Sequence, residues 1–401
     1  MKLIGVRRPD GHGAPAGGAG RPARPAVVAL GLVLLTAALG AAGAAQGAPG
    51  TGRASTAPTA GSGRASTAPT RAGQTRAATG AVRRVVISGD SVTESATLAP
   101  ADVQREGLDG SLLTALRARG VAASDAYIRS HGLSLNNGAA AVVPGSLHYD
   151  GAWAYGETDG GPDGYVSVTV KPGAAVSFPP GTRQIRLLYS GSTPLAYYHQ
   201  QQVPVAADGT IELPDASARV KLVNTGSLVF DGVIRYPTSG IGLDVLGHAA
   251  ALTQDNLDPN EVAELRLLDP AQTIVLYGTV EEYEENNGGL TPHTAEVDFV
   301  NGLTQRAEIA RASGTCVFVS HAPNTVVTAT IQARFRVIEK EQAKLDGCTY
   351  SNILKNVFGP ATRSVKAGLT IDTIHPTPAG YRRLAGLLAT LIVPVPGKIG
   401  G

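Results

Sequence analysis

Two short stretches of the sequence carry side chains able to do nucleophilic chemistry together. One is Gly89-Asp90-Ser91-Val92, and the other, near the far end, is Asp372-Thr373-Ile374-His375-Pro376. A serine hydroxyl is a weak nucleophile until a base removes its proton, and a neutral imidazole is the side chain best suited to that task near pH 7. An aspartate three residues ahead of a histidine can fold back to accept the imidazole Nδ1 proton, which leaves Nε2 free to face a serine. Ser91, Asp372 and His375 therefore suffice for serine-dependent acyl transfer. Each stretch alone also has a plainer reading: Gly-Asp-Ser as an ordinary turn, Asp372 as a turn cap and His375 as a surface imidazole.

For the serine to meet the histidine, the elements before them must end at one edge of one sheet. Arg83 to Ser88 is a β-branched run that stops at Gly89, as a buried strand entering a tight turn does. Leu108, Leu112, Leu113 and Leu116 then recur at helical spacing, and Gly120 supplies a stop. After Pro237 strands and helices alternate again. Leu243 to Leu246 leads into Gly247, Thr273 to Tyr277 into Gly278, Val297 to Arg311 is helical, and Cys316 to Ser320 is another strand. Thr377 to Ile392 carries Leu384, Leu387, Leu388 and Leu391 on one helical face. Sites in open α/β sheets form beyond the carboxyl ends of the strands, which is where Ser91 falls. Between these two α/β stretches the helical period disappears. Runs at Tyr165–Val170, Ala174–Phe178, Gln184–Tyr189, Ala196–Val205, Ala218–Val223 and Leu228–Arg235 are separated by turn residues at sandwich-like spacing.

The Gly-Asp-Ser turn, the Asp-x-x-His-Pro stretch and the glycines after two intermediate strands together resemble the blocks of the GDSL or SGNH hydrolases. The resemblance covers Val82 to Ser134 and Pro237 to Val395. It implies a flavodoxin-like three-layer α/β/α domain that cleaves esters, with Ser91 as nucleophile, His375 as general base and then acid, and Asp372 orienting and stabilising His375. The family's second block matches Gly247, whose backbone N–H would join that of Ser91 in an oxyanion hole. His248 reads as a neighbour of the site. The third block departs from the pattern: where the family has Gly-x-Asn this chain has Gly278-Thr279-Val280, and valine donates no hydrogen bond. Thr279, His248 or Asn286/Asn287 stand as substitutes. The acidic run Glu281 to Glu285 reads as a solvated loop face. Several secreted polysaccharide and peptidoglycan O-acetylesterases of this family carry a carbohydrate-binding-like β-sandwich between the first and second blocks, and this chain resembles them in that arrangement. Tyr149, Trp153 and Tyr155 are then candidates to stack on sugar faces, the alternative being that they fill the sandwich core.

Composition bounds the rest. The 401 residues are 43% hydrophobic and 16% charged, too apolar for a disordered chain. Nine of the 34 Lys and Arg lie in the first 80 residues with one of the 32 acidic side chains, so the remainder is mildly acidic and unsuited to a nucleic-acid partner. Arg7, Arg8, Arg21 and Arg24 precede an apolar run from Ala26 to Ala45, the pattern of an export signal, with an uncleaved anchor as the alternative. The following residues are Ala, Gly, Ser, Thr, Pro and Arg with the repeat GRASTAPT at Gly52–Thr59 and Gly63–Thr70, which reads as a linker. The two cysteines, Cys316 and Cys348, are expected to form a disulfide in an exported chain. The expected organisation is a signal peptide over 1–45, a linker over 46–81, the hydrolase domain in two parts at 82–145 and 237–397, and the sandwich at 146–236. The expected function is that of a secreted serine esterase removing acetyl or short acyl groups from a carbohydrate or cell-wall polymer, without metal or organic cofactor. Its partners would be an acylated carbohydrate or a small ester, with no nucleic acid and no stable membrane insertion after signal cleavage. A lipase or aryl esterase of the same fold and a non-catalytic carbohydrate-binding wall protein are the alternatives.

Overall fold

A computed structural model of the chain describes residues 83–98, 100–130, 147–162, 165–255 and 257–392. The expected signal and linker lie outside them. Strand β1 (Arg83–Gly89) is followed by helices α1 (Ser91–Glu94), α2 (Pro100–Glu106) and α3 (Leu108–Ala118) and by strands β2 (Ala123–Asp125) and β3 (Tyr127–Arg129). A run of strands comes next: β4 (His148–Asp150), β5 (Trp153–Gly160), β6 (Tyr165–Val170), β7 (Ala175–Phe178), β8 (Gln184–Gly191), β9 (Leu195–Tyr198), β10 (Gln201–Val203), β11 (Thr210–Glu212), β12 (Val220–Val223), β13 (Leu228–Arg235) and β14 (Ile241–Gly247). The last part holds α4 (Pro259–Leu267), β15 (Gln272–Leu276), α5 (Thr279–Asn286), α6 (Pro292–Ser313), β16 (Thr315–Val319), α7 (Ala329–Leu345), β17 (Thr349–Ser351), α8 (Ile353–Phe358), α9 (Ala361–Lys366) and α10 (Pro378–Ile392).

The first and last parts build one six-stranded sheet in the order β17-β16-β15-β1-β14-β2, with every neighbouring pair parallel. Side chains on a strand point alternately to its two faces, so a parallel sheet covered on both sides is made of nearly continuous apolar runs. Val85 and Ile87 of β1 accordingly join Leu243, Val245, Ile274 and Leu276 against α3 and α10. On the other face Val275 and Phe318 meet Phe299, Leu303 and Phe335 of α6 and α7. Leu108, Leu112 and Leu116, one helical turn apart, are fully buried, as are Leu388 and Ile392 of α10. The result is a three-layer α/β/α domain. Cys316 in β16 and Cys348 just before the neighbouring β17 form a disulfide, with their Cα atoms 4.9 Å apart.

The interposed strands form two antiparallel sheets, β10-β9-β12-β7-β4 and β11-β8-β13-β6-β5. Their inner faces share a core that includes Val168, Phe178, Ile185, Leu222 and Phe230. Two features differ from the sequence expectation. The run Ala196–Val205 is a hairpin of β9 and β10, turned by His199 and Gln200, whose φ values of 50° and 64° are the left-handed pair that a tight two-residue hairpin turn requires. And β3, within the stretch assigned to the α/β domain, pairs antiparallel with β13, so the sandwich draws a strand from before its expected start. Tyr127, Leu188 and Ile234 on this sheet pack in one buried cluster with Val86, Leu246 and Leu265 of the α/β domain. Arg84 crosses the same junction, its guanidinium donating to Ala126 O at 2.9 Å and Arg235 O at 2.6 Å and pairing with Asp244 at 2.9 Å. Among the described residues no helix is long and apolar enough to cross a membrane.

Candidate active site

Ser91 stands at the start of α1, on the turn that leaves β1 at the middle of the parallel sheet. Asp90 caps this helix, its Oδ1 accepting the Val92 N–H at 3.0 Å. Burial raises the Asp90 carboxyl, against the Val92 N–H and the Thr279 hydroxyl that favour its ionised form. Two glycines seat the helix. A Cβ on Gly89 would lie 2.0 Å from Thr93 Oγ1 and 2.5 Å from Leu276 O, and one on Gly247 would lie 2.0 Å from the Glu94 backbone nitrogen. Gly89 and Gly247 are register partners on adjacent strands, so α1 rests directly on the sheet edge where both side chains are missing. The buried Glu94 then accepts the Ala249 N–H at 2.6 Å, and Ser95 Oγ accepts the Leu108 N–H at 2.8 Å. The Ser91 turn is thereby tied to the loop after β14 and to α3.

His375 reaches Ser91 from the loop between α9 and α10. Thr370 and Pro376 close this loop by an isolated antiparallel bridge, reinforced by the Ile371 N–H donating to His375 O at 2.9 Å. Inside it, Asp372 Oδ1 accepts the N–H groups of Ile374 at 3.0 Å and His375 at 2.8 Å, and Oδ2 meets His375 Nδ1 at 2.7 Å. His375 Nε2 lies 2.9 Å from Ser91 Oγ. A carboxylate only accepts, so Nδ1 carries the proton and Nε2 presents its lone pair to the serine hydroxyl. Burial pushes the Asp372 carboxyl up, but the hydrogen bond and charge of His375, with the two backbone N–H groups, more than offset it and hold it down to about 2. The three side chains form a continuous relay with the hydroxyl half-buried at its open end.

The neighbouring α5 departs from the sequence reading. Gly278, with φ 113°, turns the chain out of β15, and Thr279 and Val280 in the first helical turn are both buried. Glu281 and Glu282 are fully buried too and lie on a helix, not on a solvated loop. Glu281 accepts the Thr253 N–H, and burial raises its carboxyl to about 7 despite the contacts with Thr253. Glu282 pairs with His321 at 3.0 Å. Asn286 donates to Val326 O at 3.1 Å and accepts the Thr328 N–H at 3.2 Å, while Asn287 donates to Tyr283 O at 2.8 Å. Both amides are thus committed elsewhere, which removes two of the substitutes for the missing asparagine. Of the other two, Thr279 is buried beside Asp90, and the His248 N–H donates to Gly89 O at 2.9 Å. In the sandwich, Tyr149 and Trp153 stack on one another, with centroids 4.9 Å apart and planes 29° apart, and both pack partly buried on the sandwich core. Tyr149 donates its hydroxyl to Ser130 O at 2.6 Å. The Tyr155 side chain lies outside the described residues.

No family profile and no curated protein matches the sequence. Solved structures do match. A peptidoglycan O-acetylesterase superposes with a TM-score of 0.59 at 16% identity, over 78% of this chain and 90% of its own. An acetylxylan esterase, Axe2 from Geobacillus stearothermophilus, aligns with a TM-score of 0.30 at 14% identity, over 39% of this chain and 74% of its own. The first likeness is one of fold.

Proposed function

We propose that the chain is a secreted serine esterase that removes acetyl or other short acyl groups from a carbohydrate or cell-wall polymer. The observation that carries this reading is the relay from Ser91 Oγ through His375 Nε2 and Nδ1 to Asp372 Oδ2, with contacts of 2.9 and 2.7 Å. As the serine attacks the ester carbonyl carbon, Nε2 takes the hydroxyl proton, and the imidazolium that forms is stabilised by the Asp372 carboxylate. The same proton passes to the departing sugar oxygen, leaving the acyl group on Ser91. Water then repeats the sequence: it gives a proton to Nε2 as its oxygen attacks the acyl carbon, the bond from that carbon to Ser91 Oγ breaks, Oγ takes the proton back from Nε2, and the carboxylic acid leaves. The Ser91 and Gly247 backbone N–H groups are the donors proposed for the intermediate's oxyanion. The fold shared with a peptidoglycan O-acetylesterase supports the choice of an acetylated glycan. Residues 1–45 as a cleaved signal and 46–81 as a linker would place the enzyme outside the cell or at its wall, and Tyr149 and Trp153 are proposed to contribute to polymer binding.

A fluorophosphonate should label the wild-type protein at Ser91 and leave Ser91→Ala unlabelled, and acetate should be released from O-acetylated peptidoglycan by the wild type alone. A folded protein that is neither labelled nor able to release acetate would instead favour the non-catalytic reading, which Val280 in place of a hydrogen-bond donor keeps open.

A further inference from the structure

We propose that Thr325 is a positioning residue that holds the Asp372–His375 loop in its working conformation by clasping Thr373. The proposal rests on the esterase reading and extends it to a residue outside the relay. Thr373 lies between the two members of the loop and has φ 75°. A β-branched side chain in the left-handed region is an outlier, because its Cβ crowds the backbone, and it persists only where the surroundings over-determine it. This rotation turns the chain so that one Asp372 oxygen receives the Ile374 and His375 N–H groups while the other faces Nδ1. Extended backbone at residue 373 would carry His375 away from Asp372.

The bonds within the loop are local and would be lost together if residue 373 relaxed. The restraint from outside comes from Thr325, whose N–H and hydroxyl both donate to Thr373 Oγ1, each at 3.1 Å and across 48 residues of sequence. The two lone pairs of that hydroxyl oxygen are matched by these two donors. Thr325 sits at the exposed tip of the loop after β16, and this loop is itself braced from both ends. Asn324 Oδ1 accepts the Val326 and Val327 N–H groups at 3.1 and 2.9 Å. The buried Gln332 of α7 donates to Asn324 O at 2.8 Å and Val327 O at 2.7 Å and accepts the Asn324 N–H at 3.2 Å. Asn286 of α5 ties down Val326 and Thr328. A loop with no part in the chemistry therefore acts as a strut, and Thr325 is its point of contact with the acid–base loop.

Thr325→Val, which puts a methyl in place of the hydroxyl and keeps only the backbone donor, and Thr373→Val, which removes the acceptor, should each lower kcat on a small activated ester by about ten- to a hundredfold, the scale of a misplaced catalytic group, with KM unchanged. Thr325→Ser should recover most of the loss. Proton NMR supplies a readout that bulk stability does not move: the low-field resonance of the Nδ1–H shared by His375 and Asp372 should broaden in both valine variants and sharpen again in Thr325→Ser. That signal needs no turnover. If the wild type hydrolyses no ester yet the resonance still depends on Thr325, the esterase reading fails and the clasp stands. Wild-type kcat together with a wild-type resonance in Thr325→Val overturns the clasp, as does a resonance unchanged in all three variants of an inactive protein.

Discussion

His375 is engaged through both ring nitrogens, and removing each partner should have a different consequence. Ser91→Ala removes the attacking atom, so hydrolysis of a small activated ester should fall by roughly 10³-fold or more while far-UV circular dichroism stays unchanged. Asp372→Asn keeps the shape but offers an amide where a carboxylate accepted a proton, and kcat should fall by about 10⁴-fold through the wrong imidazole tautomer. A variant of either kind with wild-type turnover would dismantle the relay. Val280 is a separate case. It is 7% exposed in the first turn of α5, so Val280→Asn should bury an unsatisfied amide, lowering stability by about 1 to 3 kcal/mol with no gain in turnover. A rise in kcat would show instead that the oxyanion site lacks a donor and has room for one. At this scale the contacts among Ser91, His375 and Asp372 were legible only from the two stretches taken together, since Asp372 and His375 alone read equally well as a turn cap and a surface imidazole. The burial of Glu281 and Glu282 was not legible, since adjacent acids read as solvated and the groups that receive them, Thr253 and His321, come from distant loops.

Among the elements, α1 depends on the missing side chains beneath it. Gly247→Ala would set a methyl 2.0 Å from the Glu94 backbone nitrogen in the helix that carries Ser91, which cannot yield without moving Ser91. This variant should lose kcat and stability together, and turnover at the wild-type level would mean that α1 can shift freely. The Cys316–Cys348 bridge closes a loop spanning 32 residues, and its loss in Cys316→Ser/Cys348→Ser should cost about 3 to 4 kcal/mol by loop entropy, read from urea denaturation. Strands β1, β14, β15 and β16 were visible as apolar runs ending in turn residues, and α10 as a leucine stripe. Helix α7 was not. Its buried residues are Gln332, Phe335, Glu339, Gln342 and Ala343, so three polar side chains interrupt the apolar face that Phe335 and Ala343 pack into the core, and Gln332 is received by backbone carbonyls of the loop after β16. The hairpin of β9 and β10 was hidden for another reason: His199 and Gln200 are not the Asn-Gly or Gly-containing pair that announces a left-handed turn.

In the molecule as a whole, the sandwich and the α/β domain share apolar surface. Excising residues 146–236 would uncover Val86, Leu246 and Leu265 and strip β3 of its partner, so the remaining chain should be insoluble rather than a smaller active enzyme. A soluble, active excision product would show the junction to be dispensable. Stability should also carry a pH signature. Burial raises the fully buried carboxyls of Glu281 to about 7 and of Asp244 to about 6, with Thr253 and Arg84 acting in the opposite sense. Unfolded carboxyls titrate near about 4, so between there and about 7 the folded chain binds more protons than the unfolded one, and stability falls as pH rises through that window. Asp372, with its folded value depressed to about 2, works the other way and only below about pH 4. Urea midpoints should therefore be higher at about pH 5 than at about pH 8, and Glu281→Gln should flatten the difference. A midpoint that climbs with pH would refute the assignment.

Strand β1 lies between β14 and β15, and both of these are made only after the whole sandwich. A growing chain thus carries its central strand unpaired while another unit is being completed, the kind of long-range closure that slows folding and exposes sticky surface on the way. The hydroxyl of Ser91 meets His375 Nε2 across 284 residues, just ahead of α10. On the proposed esterase reading, a nascent chain that stops short of His375 holds a serine with no imidazole beside it to take its proton.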